Sequence, residues 1–284
     1  MILPVIFYYV IFHYFPMYGA IIAFKDYAPG LGIWGSRWVG LKHFMRFFDS
    51  SSFHRVVVNT ITISVYQIIL GFPAPIILAL LLNEVRSQTW KRTVQTITYM
   101  PHFISVMVVA GMLVDFLSTN GVITSIYAWF GGPKTNMLMQ PAFFRTIYIS
   151  SGLWQDIGFG SIVYLGGLSA IDPNLYEAAM IDGAGRWRQT VHITLPGILP
   201  MIAVLFILRM GRIMSVGYEK LILLYNPNTY EVADVISTFV YRRGLLELNY
   251  GFGAAVDLFN SFINMVLLVF FNWISRITTE QSLW

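Results

Sequence analysis

Charged side chains are scarce in this chain, so the few that interrupt its apolar stretches hold most of the chemistry it can do. Asp156 falls near the middle of one such stretch. Arg209 and Arg212, three residues apart and hence on one helical face, fall in the second half of another. An ionised group at bilayer depth is costly, which makes each of these a functional candidate. Two readings stay open. Either Asp156 neutralises one arginine and the group fastens two helices, or the guanidinium groups face a polar path and hold the hydroxyls or carboxylates of a solute, as their forked geometry allows. Other chemistry is thin. Without Cys there is no thiolate ligand or cysteine nucleophile, and His102, beside Pro101, is a lone imidazole with no partner at metal-ligand spacing. Neither His-Glu-x-x-His nor Gly-x-Ser-x-Gly occurs, and the phosphate cradle Gly-x-x-x-x-Gly-Lys-Ser/Thr is absent, so neither catalysis nor ATP binding is expected here.

The elements that position these residues must be membrane helices. The chain has 284 residues, of which 56% are hydrophobic and only 11% charged, against about 25% charged in a soluble domain. Its mean hydropathy is +0.64. The formal charge of +4 is too scattered for a nucleic-acid surface. A bilayer core about 30 Å thick needs about 20 helical residues per crossing. Six stretches qualify: 2–24, 59–82, 96–117, 143–168, 197–216 and 253–275. None alternates as a barrel strand does, so the expected fold is all-α and polytopic, one transmembrane domain over 1–284. The first stretch lacks a basic n-region and a cleavage site and reads as a span rather than a signal peptide. Pro73 and Pro75 are expected to bend the second. Two connecting segments, Leu41 to Asp49 and Val232 to Tyr241, read as interfacial helices.

One polar loop, 169–196, is more informative. Asp172 is a good N-cap, Pro173 suits the first helical position and Gly183 is a natural C′ stop, which gives a helix of about ten residues. It is too short to span and should lie along the membrane surface. A second helical stretch from Arg186 then runs into the fifth span past Pro196 and Pro200.

Glu177-Ala178-Ala179, Gly183 after three residues, and Ile193-Thr194-Leu195-Pro196 after nine more resemble the signature of the membrane subunits of ATP-binding-cassette importers. Further segments resemble the carbohydrate-importing branch, closest to permeases of polysaccharide-utilisation systems: Val39-Gly40-Leu41-Lys42-His43-Phe44, Gly71-Phe72-Pro73-Ala74-Pro75, Tyr99-Met100-Pro101, Gly152-Leu153-Trp154-Gln155-Asp156 and Tyr250-Gly251-Phe252-Gly253. The resemblance implies the type I importer permease fold in a bacterial plasma membrane. Its partners would be a second permease, two ATP-binding subunits that hold ATP and magnesium, and an external solute-binding protein. It also implies that the 169–196 loop is cytoplasmic, although a Lys and Arg count favours the other side. Glu177, Ala178, Ala179, Asp182, Gly183, Ile193, Leu195 and Pro196 would then couple to the ATPase. Gln155, Asp156, Phe159, Arg209, Arg212 and Ile213 would line the path of an oligosaccharide, an acidic one if the arginines face it. Trp154 and Phe159 could stack on a sugar or contact lipid and core. The alternative is a stand-alone carrier using Asp156, which would usually show repeated halves; no second half resembles the first.

Overall fold

A computed structural model describes residues 2–279 and Ser282. Apart from a two-stranded antiparallel ribbon that pairs Lys25–Asp26 with Arg37–Trp38, its regular structure is helical. We number the main helices α1 (Leu3–Phe24), α2 (Lys42–Phe48), α3 (Phe53–Glu84), α4 (Gln88–Tyr99), α5 (Val106–Leu117), α6 (Pro141–Ser169), α7 (Pro173–Ile181), α8 (Arg186–Met210), α9 (Tyr218–Leu224), α10 (Ile236–Val240) and α11 (Tyr250–Thr279).

Among the described residues, five helical stretches are long and apolar enough to cross a membrane: α1, α3, Val106–Trp129, α8 and Tyr250–Ile277 of α11. These differ from the six expected stretches on two points. The 96–117 stretch is not one helix: α4 ends at Tyr99, a 3₁₀ turn covers Met100–Phe103, and α5 starts afresh after Ser105, whose hydroxyl caps it by accepting from Val108 N at 3.3 Å. Pro101 lacks the N–H that a continuous ladder needs. The 143–168 stretch is a helix of 29 residues, but Arg145, Gln155, Asp156 and several Ser leave it too polar to stand among the five. That polarity suits its place, because α6 is the central post against which α3, α4, α8 and α9 or their neighbouring turns pack. The fifth span also moves, starting at Arg186 and ending at Met210 rather than Val216.

Close packing on α6 rests on small residues, as is usual where lipid supplies no hydrophobic drive between helices. A Cβ added to Gly158 would lie 2.0 Å from the Thr98 carbonyl oxygen of α4, and one on Gly160 would lie 3.2 Å from Pro75 of α3. Toward the α7 end, Ala79, Tyr164, Leu168 and Ile198 lock α3, α6 and α8 together. At the opposite end Phe47, Phe239 and Phe252 are buried in one cluster with Val56 and Met214. The two segments expected to be interfacial, α2 and α10, are therefore core helices on their Phe47, Ile236 and Phe239 sides.

Candidate functional site

The polar loop folds as its local chemistry dictates. Asp172 Oδ1 accepts from Asn174 N at 2.9 Å, Pro173 takes the first position, and α7 runs nine residues to Ile181. Gly183 follows at φ +75, where a side chain would be strained. Gly183 N then bonds Met180 O at 3.1 Å and Ala184 N bonds Ala179 O at 2.8 Å, the paired bonds of a Schellman stop. Glu177, Ala178, Asp182 and Gly183 are exposed and Ala179 is half-buried. So are three large apolar side chains, Leu175, Met180 and Ile181, the last at 88% exposure. Such a surface on a nine-residue helix is built to be covered. The loop is tethered at two points: Tyr176 and Thr194 share a hydroxyl hydrogen bond of 3.0 Å, and Arg186 meets Glu84 at the end of α3 at 3.1 Å. Ile193 and Leu195 are half-buried and Pro196 exposed along the first turns of α8.

The charged residues of the spans gather elsewhere. At the middle of α6, two adjoining cavities of about 290 and 450 Å³ share Gln67, Gly152 and Asp156. Arg209 lines the first; His102, Gln155 and Lys220 line the second. Asp156 meets His102, whose Nδ1 lies 3.1 Å from Oδ1, and among the described residues forms an ion pair with neither arginine. The His102 ring stacks on Phe159 with centroids 4.0 Å apart and planes within 4°. Gln155 is buried, and its Nε2 donates to the Ile104 carbonyl at 3.0 Å, which satisfies backbone freed by the break between α4 and α5.

Of the expected path residues, the structure thus brings Gln155, Asp156 and Arg209 to the two adjoining cavities, with Phe159 beside them only through its stack on His102. It does not bring Arg212 or Ile213 there. α8 ends at Met210, so the helical spacing that joined Arg209 to Arg212 stops at Gly211, and Arg212 points out from the following turn, lining neither cavity. Ile213 packs beside Phe47 and Met214, and its carbonyl accepts from Ser64 Oγ. Trp154 lines a separate apolar cleft with Met112 and Phe116.

Two residues of this site escape a reading of the sequence. His102 sits 54 residues before Asp156, and only the Pro101 break brings it in. Lys220 follows the fifth apolar stretch and reads as a loop charge, yet α9 folds back against α5 and buries it to 9% exposure. The one available signal is the Leu221 and Leu224 spacing, which marks α9 as a packed turn of helix. Burial pulls the Lys220 ammonium down to a pKa of about 8, with Asp156 opposing the shift.

Comparison with known proteins identifies the family and the fold. A family model described as "Binding-protein-dependent transport system inner membrane component" matches residues 71–279, which include α3 from its break onward, α7 and every cavity residue named above except Gln67. The polygalacturonan/rhamnogalacturonan transport system permease protein YteP of Bacillus subtilis is 42% identical over 100% of this chain and 89% of its own length. Protein LplB of the same organism is 40% identical with the same coverage. Among solved structures, a bacterial ABC transporter involved in the import of the acidic polysaccharide alginate aligns over 98% of this chain and 94% of the matched chain, with a TM-score of 0.91 and 47% identity. A bacterial alginate ABC transporter in complex with an alginate pentasaccharide-bound periplasmic protein aligns over 100% and 95%, with a TM-score of 0.92 and 46% identity. The chain therefore belongs to the family of binding-protein-dependent transport system inner membrane components, the multi-pass permeases of carbohydrate ABC importers.

Proposed function

We propose that this permease moves an acidic oligosaccharide from an external solute-binding protein into the cytoplasm by alternating access, paired with a second permease chain and driven by ATP hydrolysed, with magnesium, on two partner subunits. The observation that carries the reading is the pair of adjoining mid-helix cavities, where Arg209 and Lys220 line the wall with one carboxylate, Asp156, which His102 already engages. A partly desolvated groove with that balance attracts an anion. The relatives named for polygalacturonan and for alginate, both uronate polymers, support the same substrate class. At the other site, α7 is the coupling helix. Ala178 and Ala179 let a partner approach closely, Glu177 and Asp182 offer carboxylates, and Leu175, Met180 and Ile181 supply the apolar face that a groove on the ATPase covers. Gly183, Ile193, Leu195 and Pro196 fix how α7 joins α8.

The test is ATPase activity of the reconstituted complex with its binding protein loaded with either uronate or neutral oligosaccharides. Stimulation by the uronate-loaded protein is expected. Stimulation by neutral sugars alone removes the acidic substrate, and uptake by this chain without partners, driven by an ion gradient, overturns the importer reading.

A further inference from the structure

Lys220 is a buried cation, 9% exposed, with no hydrogen-bond or ion-pair partner among the described residues. The Tyr148 ring centroid lies 5.7 Å away, within range of a cation–π contact but too far to replace hydration, and Asp156 acts on the ammonium through space. Across the gap α6 presents a bare glycine: a Cβ on Gly152 would come only to 3.9 Å from Nζ. The carboxylate that shares the cavity, Asp156, is already engaged by His102. Native folds rarely leave a buried charge in this condition, because unpaired it costs far more than a satisfied one. The cavity therefore holds positive charge and an open donor facing vacant space, on the wall that the proposed path follows.

We propose that Lys220 is the carboxylate anchor of the path: its ammonium group binds the carboxylate of a sugar acid as the chain passes, and so sets preference for uronate over neutral sugar units. An ammonium suits this work better than a fixed fork, since a compact point charge on a flexible stem can follow a moving ligand. The proposal rests on the reading of this chain as a permease for acidic oligosaccharides. Its pH dependence has a definite sign. The carboxylate binds the protonated amine, so preference is greatest at pH well below the amine's pKa of about 8 and falls as pH rises through it. Asp156, His102 and Tyr148 face the same space from α6 and the α4–α5 break, Arg209 lines the adjoining cavity, and Glu219 on α9 itself is exposed. A variant that keeps charge at 220 at every pH separates Lys220 from these.

The experiment uses the complete complex with its binding protein in proteoliposomes. Uptake of a uronate trisaccharide is compared with uptake of the same trisaccharide carrying its carboxyl groups reduced to alcohols, for wild type, Lys220→Met and Lys220→Arg. The binding protein is unchanged throughout, so its own discrimination cancels between variants. Lys220→Met should lose about tenfold or more of the uronate preference, as loss of a charge-assisted hydrogen bond implies. Lys220→Arg should keep most of that preference and remove its decline above pH 8. A Lys220→Met complex with wild-type preference overturns this proposal alone. Should that variant fail to assemble, a wild-type preference that stays flat as pH rises past 8 overturns it equally. A wild type that imports only the reduced trisaccharide overturns the acidic-substrate reading and this proposal together.

Discussion

Asp234→Asn should loosen the end of the molecule opposite α7, and the size of the effect follows from the contacts it removes. Asp234 is fully buried. Its Oδ2 accepts from Arg242 at 2.7 Å and from Arg55 at 3.2 Å, and Oδ1 accepts from Thr238 Oγ1 at 2.9 Å. Around this carboxylate the segment 226–240 is stitched to the helices. Asn59 of α3 donates to Asp234 O at 3.0 Å and Glu231 O at 2.8 Å, and Arg145 of α6 donates to Asn59 Oδ1 at 2.8 Å. Asparagine keeps the shape but removes the charge and leaves one accepting oxygen where two carboxylate oxygens serve Arg242, Arg55 and Thr238. Arg242 has only 22% of its side chain exposed, so breaking that pair alone is worth about 3–5 kcal/mol. Arg55 is 39% exposed, and screening limits its share to well under about 1 kcal/mol. At roughly 2 °C or more per kcal/mol for a chain of this size, the thermal midpoint of the purified complex should fall by about 10 °C. Adding Arg242→Met should recover part of that loss, because it removes the cation left unpaired. An Asp234→Asn midpoint within a degree of wild type, or strict additivity in the double variant, would refute the network.

Three further outcomes are expected. Gly158→Ala puts a methyl group 2.0 Å from the Thr98 carbonyl and should cost about 1–3 kcal/mol as α4 is pushed off α6, whereas Gly166→Ala meets nothing within 4 Å; thermal midpoints of the two variants compare them directly. Glu177→Lys should leave the permease folded but uncouple it, seen as loss of binding-protein-stimulated ATPase with normal far-UV circular dichroism, and normal coupled transport would contradict the role given to α7. Arg209→Glu should abolish uptake of an acidic oligosaccharide without altering co-purification of the subunits; unaltered uptake would take Arg209 off the path.

How much of this was legible in the sequence depends on the range of the interaction. The α7 loop was legible in nearly every detail because capping by Asp172, the start at Pro173 and the stop at Gly183 are decided within a few residues. The helical class and most spans follow from composition alone. The cavity was only half legible. Asp156 and Arg209 stand out as charges in apolar runs, but their partners depend on where the chain turns back. The Pro101 break brings in His102, and α9 folds back to bury Lys220. Arg212 misled for the converse reason: helical spacing was extended through Gly211, where a Cβ would lie 2.3 Å from Leu268 of α11 and the helix has already ended. The buried Asp234 network could not be read at all, since Arg55, Asn59 and Arg145 lie far from it in sequence.

A physical link between α7 and the cavity follows from which helices are continuous and which are broken. α6 runs 29 residues without interruption, about 43 Å at helical rise, from the end held by Arg145 to the end beside α7. Its neighbours are interrupted, and α3 and the α4–α5 pair are interrupted where they line the cavity. α3 breaks at Phe72, next to Gly71 and Pro75 on the cavity wall, and α4 gives way to α5 across His102, Ile104 and Ser105. α8 reaches the same cavity with Arg209 in its last turn before Gly211. Tyr176–Thr194 ties α7 to α8 and Arg186–Glu84 ties the start of α8 to the end of α3, beside the close-packed block of Ala79, Tyr164, Leu168 and Ile198. The interruptions of α3 and of the α4–α5 pair lie at cavity depth, so the breaks that turn polar groups toward the cavity are also the points where its wall is not a continuous helix.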